Sequence, residues 1–422
     1  VTLAATFLGG AKSRLLPASI PFRFFATAAI FHILMWLALL AWANEAMSFR
    51  GGPGPTLAAI HISVLGVLTT TAIGASAQLL PVATRHTLAA VWPIKLIFWL
   101  TVPGIAALIL GMYSADLKIL IPAAITTAVG LLVYAGLLAD NLRRAGNLPI
   151  VAAYGWAALV ALVLLIGLGL ALASNYAIVA LPNHGAVALA HMILGGFGFM
   201  GLLVLGFSHV LVPMFALAAA PPKRPSFIAF ALATVGVAFG AIGALIESTP
   251  VLTAAALTGL GAVAIHLWLM LRVLKSGMRK RLGHSFVLVR TAWALLPATL
   301  LIGLAALYDL AGSNGPALFG FLLIVGWLLT FLLGILQRIM PFLASMHASP
   351  SAGTGPPLLS ELAASAPLKL HAGCHGTALA MLSLAIAADS TWLARAGCAV
   401  GLIGAVAFTW FTGAVTRRAL RW

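Results

Sequence analysis

Eleven histidines stand in a chain of 422 residues that has only seven carboxylates and two cysteines. Imidazole is therefore the side chain through which this protein can do most chemistry, and neutral imidazole is a ligand for haem iron, copper and zinc. His191 and His209 are 18 residues apart, five turns of a regular helix, which predicts one shared face and a separation of about 27 Å. His184, Gly195 and Gly198 fall on that face too. A stripe of this kind suits a helix lining a cofactor or an ion pore. The plainer account is a packing groove whose histidines bond to backbone carbonyls. His61 and His191 each lie within about a turn of the same end of their runs, so the two are expected at one depth, although they stand 20 and 22 residues before Pro81 and Pro213 and are not repeat-equivalent.

A second grouping is His371-Ala-Gly-Cys-His375. Histidines at i and i+4 stack on one helical face and can chelate a metal, although a purely structural pair is the plainer account of so short a pattern. His209 is expected at a similar depth, and depth alone would let His32 pair with His375. His266 also lies within an apolar run. His86, His284 and His347 fall near run ends and read as solvated or headgroup-facing. Every Asp and Glu falls at or beyond the end of an apolar run, which weighs against proton pumps and proton-coupled transporters, since these need an acid at depth. No P-loop, dinucleotide fingerprint, zinc-protease motif or CxxCH haem-attachment site is present.

The elements that must position these groups follow from composition. The chain is 63% hydrophobic and 7% charged, with a mean hydropathy of +1.13, whereas a soluble domain carries roughly 25% charged residues. Lipid must be its solvent. Twelve apolar runs are long enough to cross about 30 Å of hydrocarbon: 20–43, 57–81, 92–112, 117–139, 149–173, 186–213, 226–246, 250–271, 286–308, 315–341, 367–388 and 392–416. They show no period-two alternation, so they are helices and not barrel strands. The fold class is an all-α membrane protein of twelve transmembrane helices, a single transmembrane domain over residues 1–422.

Charge sets the orientation. Of 23 Lys and Arg, 20 fall at one set of ends, among them Lys12, Arg85, Arg143, Arg144, Lys223, Arg279, Arg417 and Arg421; Arg50, Lys118 and Arg395 fall at the other. That bias predicts cytoplasmic N and C termini, and the +16 formal charge then reports topology and anionic headgroups, with no nucleic acid as partner. Cys374 and Cys398 read as small core residues of one helical pair. Residues 1–19 are short, basic and modestly apolar, so no cleavable signal peptide is expected. Val1 fits a translated GTG start codon, which points to the bacterial cytoplasmic (inner) membrane. The loop at about 346–366 is the longest non-membrane stretch.

Three runs share a pattern, G-x7-G-x6-P: Gly66, Gly74 and Pro81; Gly198, Gly206 and Pro213; Gly326, Gly334 and Pro341. Coincidence is the plain account in a chain with 42 glycines. The alternative is three pseudo-repeats of four helices, at about 1–145, 146–282 and 283–422. In it the glycines let a neighbouring helix or a flat cofactor approach, and the proline ends or bends the helix.

HISVLGVLTTTAIGASAQLLP (61–81) and HMILGGFGFMGLLVLGFSHVLVP (191–213), with twelve spans in three arcs, resemble the catalytic-subunit superfamily of haem–copper oxidases and NnrS-like haem–copper membrane proteins. The resemblance implies haem b and copper as cofactors and a link to dioxygen or nitric oxide. Within it, His61 matches the low-spin haem ligand and His191 the copper-side histidine. The adjacent copper histidines of that superfamily are missing from 226–246, and its paired haem histidines from 315–341, which excludes a complete terminal oxidase. The resulting expectation is a divergent, oxidase-like membrane protein with an electron-transfer or nitric-oxide/dioxygen-related role. His61, His191, His32 and His209 are its candidate cofactor ligands and His371 and His375 its candidate metal ligands, with no catalytic residue assigned and enzymatic activity left open. Its partners would be the lipid bilayer and a membrane or periplasmic electron-transfer protein. Two other readings remain: a twelve-helix permease for a small solute, and a cofactor-free accessory or assembly subunit.

Overall fold

The runs are apolar around their whole circumference, so in lipid only a helix satisfies their backbone internally. The computed structural model describes residues 14–47, 49–84, 86–88, 90–146, 148–347 and 365–420. Among these it is helical without strands, and twelve helices are long and apolar enough to cross a membrane. They are α1 (Ser19–Ala41), α2 (Pro55–Thr84), α3 (Trp92–Ser114), α4 (Leu117–Arg143), α5 (Pro149–Ile178), α6 (His184–Ala216), α7 (Lys223–Leu245), α8 (Thr249–Ser276), α9 (Gly283–Leu307), α10 (Gly315–His347), α11 (Ser365–Ala387) and α12 (Thr391–Leu420). Lys12, Arg85, Arg421 and most of the 346–366 loop lie outside the described residues.

Local signals start the helices where the sequence places them. Proline occupies the first turn of α2, α3, α5, α8 and α10, where its missing N–H costs nothing. Asp116 accepts from Lys118 N at 2.9 Å ahead of α4, and Asn183 accepts from Ala186 N at 3.1 Å ahead of α6, each satisfying an orphan donor of the first turn. At the other ends the shared prolines do not terminate their helices. Beyond Pro81, Pro213 and Pro341 the helix continues to Thr84, Ala216 and His347, because proline removes one i−4 hydrogen bond without preventing the next turn from closing.

The bundle is layered. In α2, α6 and α10 the most apolar stretches are 67%, 61% and 67% buried, against 33–50% for the other nine, so these three form an inner set. Around them α3 packs on α4, α7 on α8 and α11 on α12, while α4 meets α5, α8 meets α9 and α12 closes onto α1. Each inner helix contains an eight-residue π-helical segment, Ile62–Thr69, Leu194–Gly201 and Leu322–Leu329. The segment of α10 packs against those of α2 and α6, and Phe197 stacks on Trp327 with centroids 5.8 Å apart. In α2 and α10, threonine hydroxyls donate to carbonyls five residues back: Thr69 to Val64 and Thr330 to Val325, both at 2.8 Å.

The glycines of the shared pattern seat the preceding helix. A Cβ at Gly66 would lie 2.6 Å from Phe31 Cγ, one at Gly74 2.6 Å from Phe24 Cβ, one at Gly206 2.6 Å from Tyr154 Cβ, and one at Gly334 2.7 Å from the Ser285 carbonyl. In each case an inner helix touches the helix that precedes it in the chain through a glycine. Cys374 is partly exposed, Cys398 is buried, and neither forms a disulfide.

The loops fix two faces. On the face opposite Ser19 and Leu420, Arg50 donates to Ser313 O at 3.2 Å and Asn314 to Ile386 O at 3.1 Å. On the face that carries Ser19 and Leu420, Gln78 Oε1 accepts from Leu16 N at 3.2 Å. His347, expected to be solvated, lies there with ring nitrogens 2.8 Å from the carbonyls of Leu343 and Leu16. His86 and His284 are exposed, as expected.

Candidate functional site

A cavity of about 900 Å³ lies among the helices, and all twelve spans contribute to its lining. It runs from the loop residues Arg50–Gly52 to a floor formed by Leu68, Leu205 and Leu328. Its wall is overwhelmingly aliphatic, with glycines (Gly169, Gly195, Gly196) and the aromatic rings of Phe197, Phe319, Phe321 and Trp327. Against that wall the imidazoles of His61, His184 and His191 stand out.

His61 and His191 are held alike. The His61 Nδ1–H donates to Leu57 O at 2.9 Å, one turn back on α2. The His191 Nδ1–H donates to Leu165 O at 3.1 Å, across to α5. Each bond fixes the tautomer with the proton on Nδ1 and leaves Nε2 as a lone pair with no protein partner, the arrangement that carbonyl-anchored metal and haem histidines use. The two rings line the same cavity. A Cβ at Gly169 would meet His191 Cε1 at 2.9 Å, so α5 holds this ring by a carbonyl on one turn and by bare backbone on the next. His184 differs: its Nδ1 is 3.0 Å from Asn175 Nδ2 and its ring packs on Tyr176 at 4.9 Å, a polar latch between α5 and α6.

His209 does not share the face of His191. It is absent from the cavity wall and instead packs its ring 5.6 Å from Tyr154 and 5.5 Å from His266. The π segment between the two histidines is the reason. Its i→i+5 bonding absorbs an extra residue, and each extra residue turns the rest of the helix by about 100°. An 18-residue spacing that closes five regular turns therefore misses.

His32, His371 and His375 do gather, on α1 and α11, with His32 and His371 centroids 6.3 Å apart. Each ring has one nitrogen engaged by a side chain, while His32 Nδ1 and His371 Nε2 are buried without a partner. Trp36 Nε1–H donates to His32 Nε2 at 3.0 Å; indole is only a donor, so the His32 proton sits on Nδ1 and the ring offers no free lone pair. His371 Nδ1 lies 3.1 Å from Gln337 Nε2. The Thr330 hydroxyl, which already donates to Val325 O, accepts from His375 Nε2 at 2.8 Å. The i, i+4 rings stack at 5.6 Å with 24° between planes, each turned to a different polar side chain of α10. His32 therefore pairs with His371 first, and each imidazole of the HxxxH pair makes a hydrogen bond to α10. Among the described residues, no group of three or more His, Cys, Asp or Glu is placed to hold a metal ion.

Of the expected site residues, the fold thus brings His61 and His191 to one cavity, His32, His371 and His375 to a second cluster, and His209 to neither. Sequence reasoning missed Gly169, Tyr154 and the pairing of His266 with His209. Only the mid-span position of His266 hinted at any of these. Comparison with protein-family models and with curated proteins finds no match.

Proposed function

We infer that this chain is a divergent, haem–copper-oxidase-like membrane protein whose central cavity binds a redox cofactor, haem b in the first instance. One observation carries the reading: His61 and His191 face the same largely apolar cavity of about 900 Å³, each with Nδ1 tied to a carbonyl and Nε2 free. A volume at the upper end of the small-molecule range, apolar walls and a few convergent polar groups are what a cofactor pocket presents. His61 would hold the haem iron, and His191 would hold the same iron or a copper ion. Haem bound there supplies a one-electron couple of use in electron transfer or in chemistry with nitric oxide or dioxygen.

The chain's own contribution is orientation and dielectric. The carbonyls of Leu57 and Leu165 fix the ring planes and make each Nε2 more basic, while the aliphatic wall excludes water. Below Leu68, Leu205 and Leu328 the inner helices are packed core, with Leu79, Val212 and Leu336 buried. A permease path would need that floor to open.

The wider frame of the proposal has independent support. The π segments begin at Ile62, Leu194 and Leu322, and these offsets repeat those of the three prolines. Three arcs of four helices account for that coincidence and for the equivalent neighbour pairs. The excess of Lys and Arg on the face of Ser19 and Leu420 favours placing that face in the bacterial cytoplasm. An electron-transfer partner would then approach the cavity from the Arg50 side.

The deciding experiment is a reduced-minus-oxidised spectrum of the purified full chain together with its metal content. A Soret band that is lost in His61→Leu supports the proposal. No Soret band and no bound metal removes it.

A further inference from the structure

A second site lies nearer the face of Ser19 and Leu420, outside the cavity wall and independent of the haem reading. Tyr154 on α5, His209 on α6 and His266 on α8 are 0%, 3% and 1% exposed. Four of their polar atoms have no partner: Tyr154 Oη, His209 Nε2 and both ring nitrogens of His266. Buried side-chain polar groups in folded proteins are nearly always satisfied, and inside a bilayer an unsatisfied one has no water to turn to. Four at one place call for a shared partner that is not protein.

The lone pairs identify that partner. His209 Nδ1–H is fixed on Leu205 O at 2.9 Å, so its unpartnered Nε2 is a lone pair and not a donor. A neutral His266 ring necessarily adds a second lone pair, and the Tyr154 oxygen a third donor atom. The His209 and His266 ring centroids are 5.5 Å apart and inclined by 58°. Two imidazoles on one ion, each bound at about 2.0–2.1 Å, have centroids roughly 5–6 Å apart. The rings are held from outside as well. Tyr154 is seated on Gly206 and edge-packed by Phe230 at 5.0 Å, which leaves its hydroxyl little freedom to seek another partner.

We propose that Tyr154, His209 and His266 form a binding site for a single first-row transition-metal ion of the copper or zinc class, with the two imidazoles as ligands and the phenol oxygen beside them. Imidazole with one oxygen suits these borderline ions and not magnesium or calcium. No residue of the site belongs to the central pair, so the ion is a separate centre.

The test uses tag-free full chain in detergent, stripped with a chelator, reloaded with Cu²⁺ or Zn²⁺ and freed of excess metal. Metal content and thermal unfolding are both read. A His61→Leu/His191→Leu background removes the central pair, so that failure of the haem reading leaves this result intact. One retained equivalent of either ion in that background, lost in His266→Leu and held on the order of tenfold or more weakly in Tyr154→Phe, supports the site. Metal should raise the unfolding temperature of the unsubstituted site only. Metal-free His266→Leu should be at least as stable as its metal-free parent, since two unpaired buried nitrogens are gone. No retained equivalent in that background, or equal retention after His266→Leu, overturns the proposal in favour of a bridging water.

Discussion

The Nδ1 of His191 lies 3.1 Å from the carbonyl oxygen of Leu165, a residue of the neighbouring span. Because the bond crosses between helices, the direction of this ring is set by how α5 and α6 are rotated against each other. With His61 oriented by its own helix, two Nε2 lone pairs are left for the cavity.

On the proposed reading, His61→Leu should abolish most of the bound haem and His191→Leu should remove haem or copper, while the helical circular dichroism persists. His184→Leu, which breaks only the latch to Asn175, should retain it. Pyridine-haemochrome content of the three variants measures this. Haem undiminished in both His61→Leu and His191→Leu would remove these ligands from consideration.

Gly169→Ala should perturb the site without touching a ligand atom. Its Cβ would be 2.9 Å from His191 Cε1, so the ring must turn or move. The expected result is a shifted or broadened Soret band with a helical content like that of the parent protein. Gly167→Ala, at a neighbouring position with nothing within 4 Å, should leave the spectrum unchanged.

His32→Leu should cost stability and leave cofactor content alone. The substitution strands the buried Trp36 Nε1–H, a loss of about 1–3 kcal/mol, but removes no free lone pair. Denaturant unfolding in detergent reads the first effect and the spectrum reads the second.

Thr330→Val keeps shape and removes one hydroxyl that serves two partners, Val325 O and His375 Nε2. A destabilisation of roughly 1–3 kcal/mol is expected. The same exchange at Thr409, whose hydroxyl bonds only to the carbonyls of Ala29 and Ala405, should be milder.

Gly206→Ala should destabilise by about 1–3 kcal/mol through overpacking, because its Cβ would sit 2.6 Å from that of Tyr154. Thermal unfolding should show the same direction at Gly66 and Gly74. At lipid-facing Gly167 the alanine should be neutral or stabilising, by up to about 1 kcal/mol.

Much of the scaffold was legible in the amino-acid order. The run 57–81 became Pro55–Thr84 and 186–213 became His184–Ala216, because hydrocarbon thickness and backbone satisfaction leave an apolar run of that length only one structure. The repeated Gly66, Gly206 and Gly334 likewise marked real close approaches, although what fills them is a neighbouring helix. The candidate site was legible only in part. Depth along a span can be counted from its ends, so His61 and His191 were expected at one level, and both line the cavity. Direction around a span cannot be counted, and His209 and His266 show why.

By itself, then, the sequence determined the twelve membrane-length helices, their order along the chain and the shared level of His61 and His191, all of which follow from length and from the distribution of apolar residues. Tertiary structure alone decided which imidazoles meet. A helix that is apolar on every side carries no stripe to announce its buried face, and an eight-residue π segment resets the azimuth of everything beyond it. The partners of His191, His209 and His32 were therefore settled by packing against α5, α8 and α11.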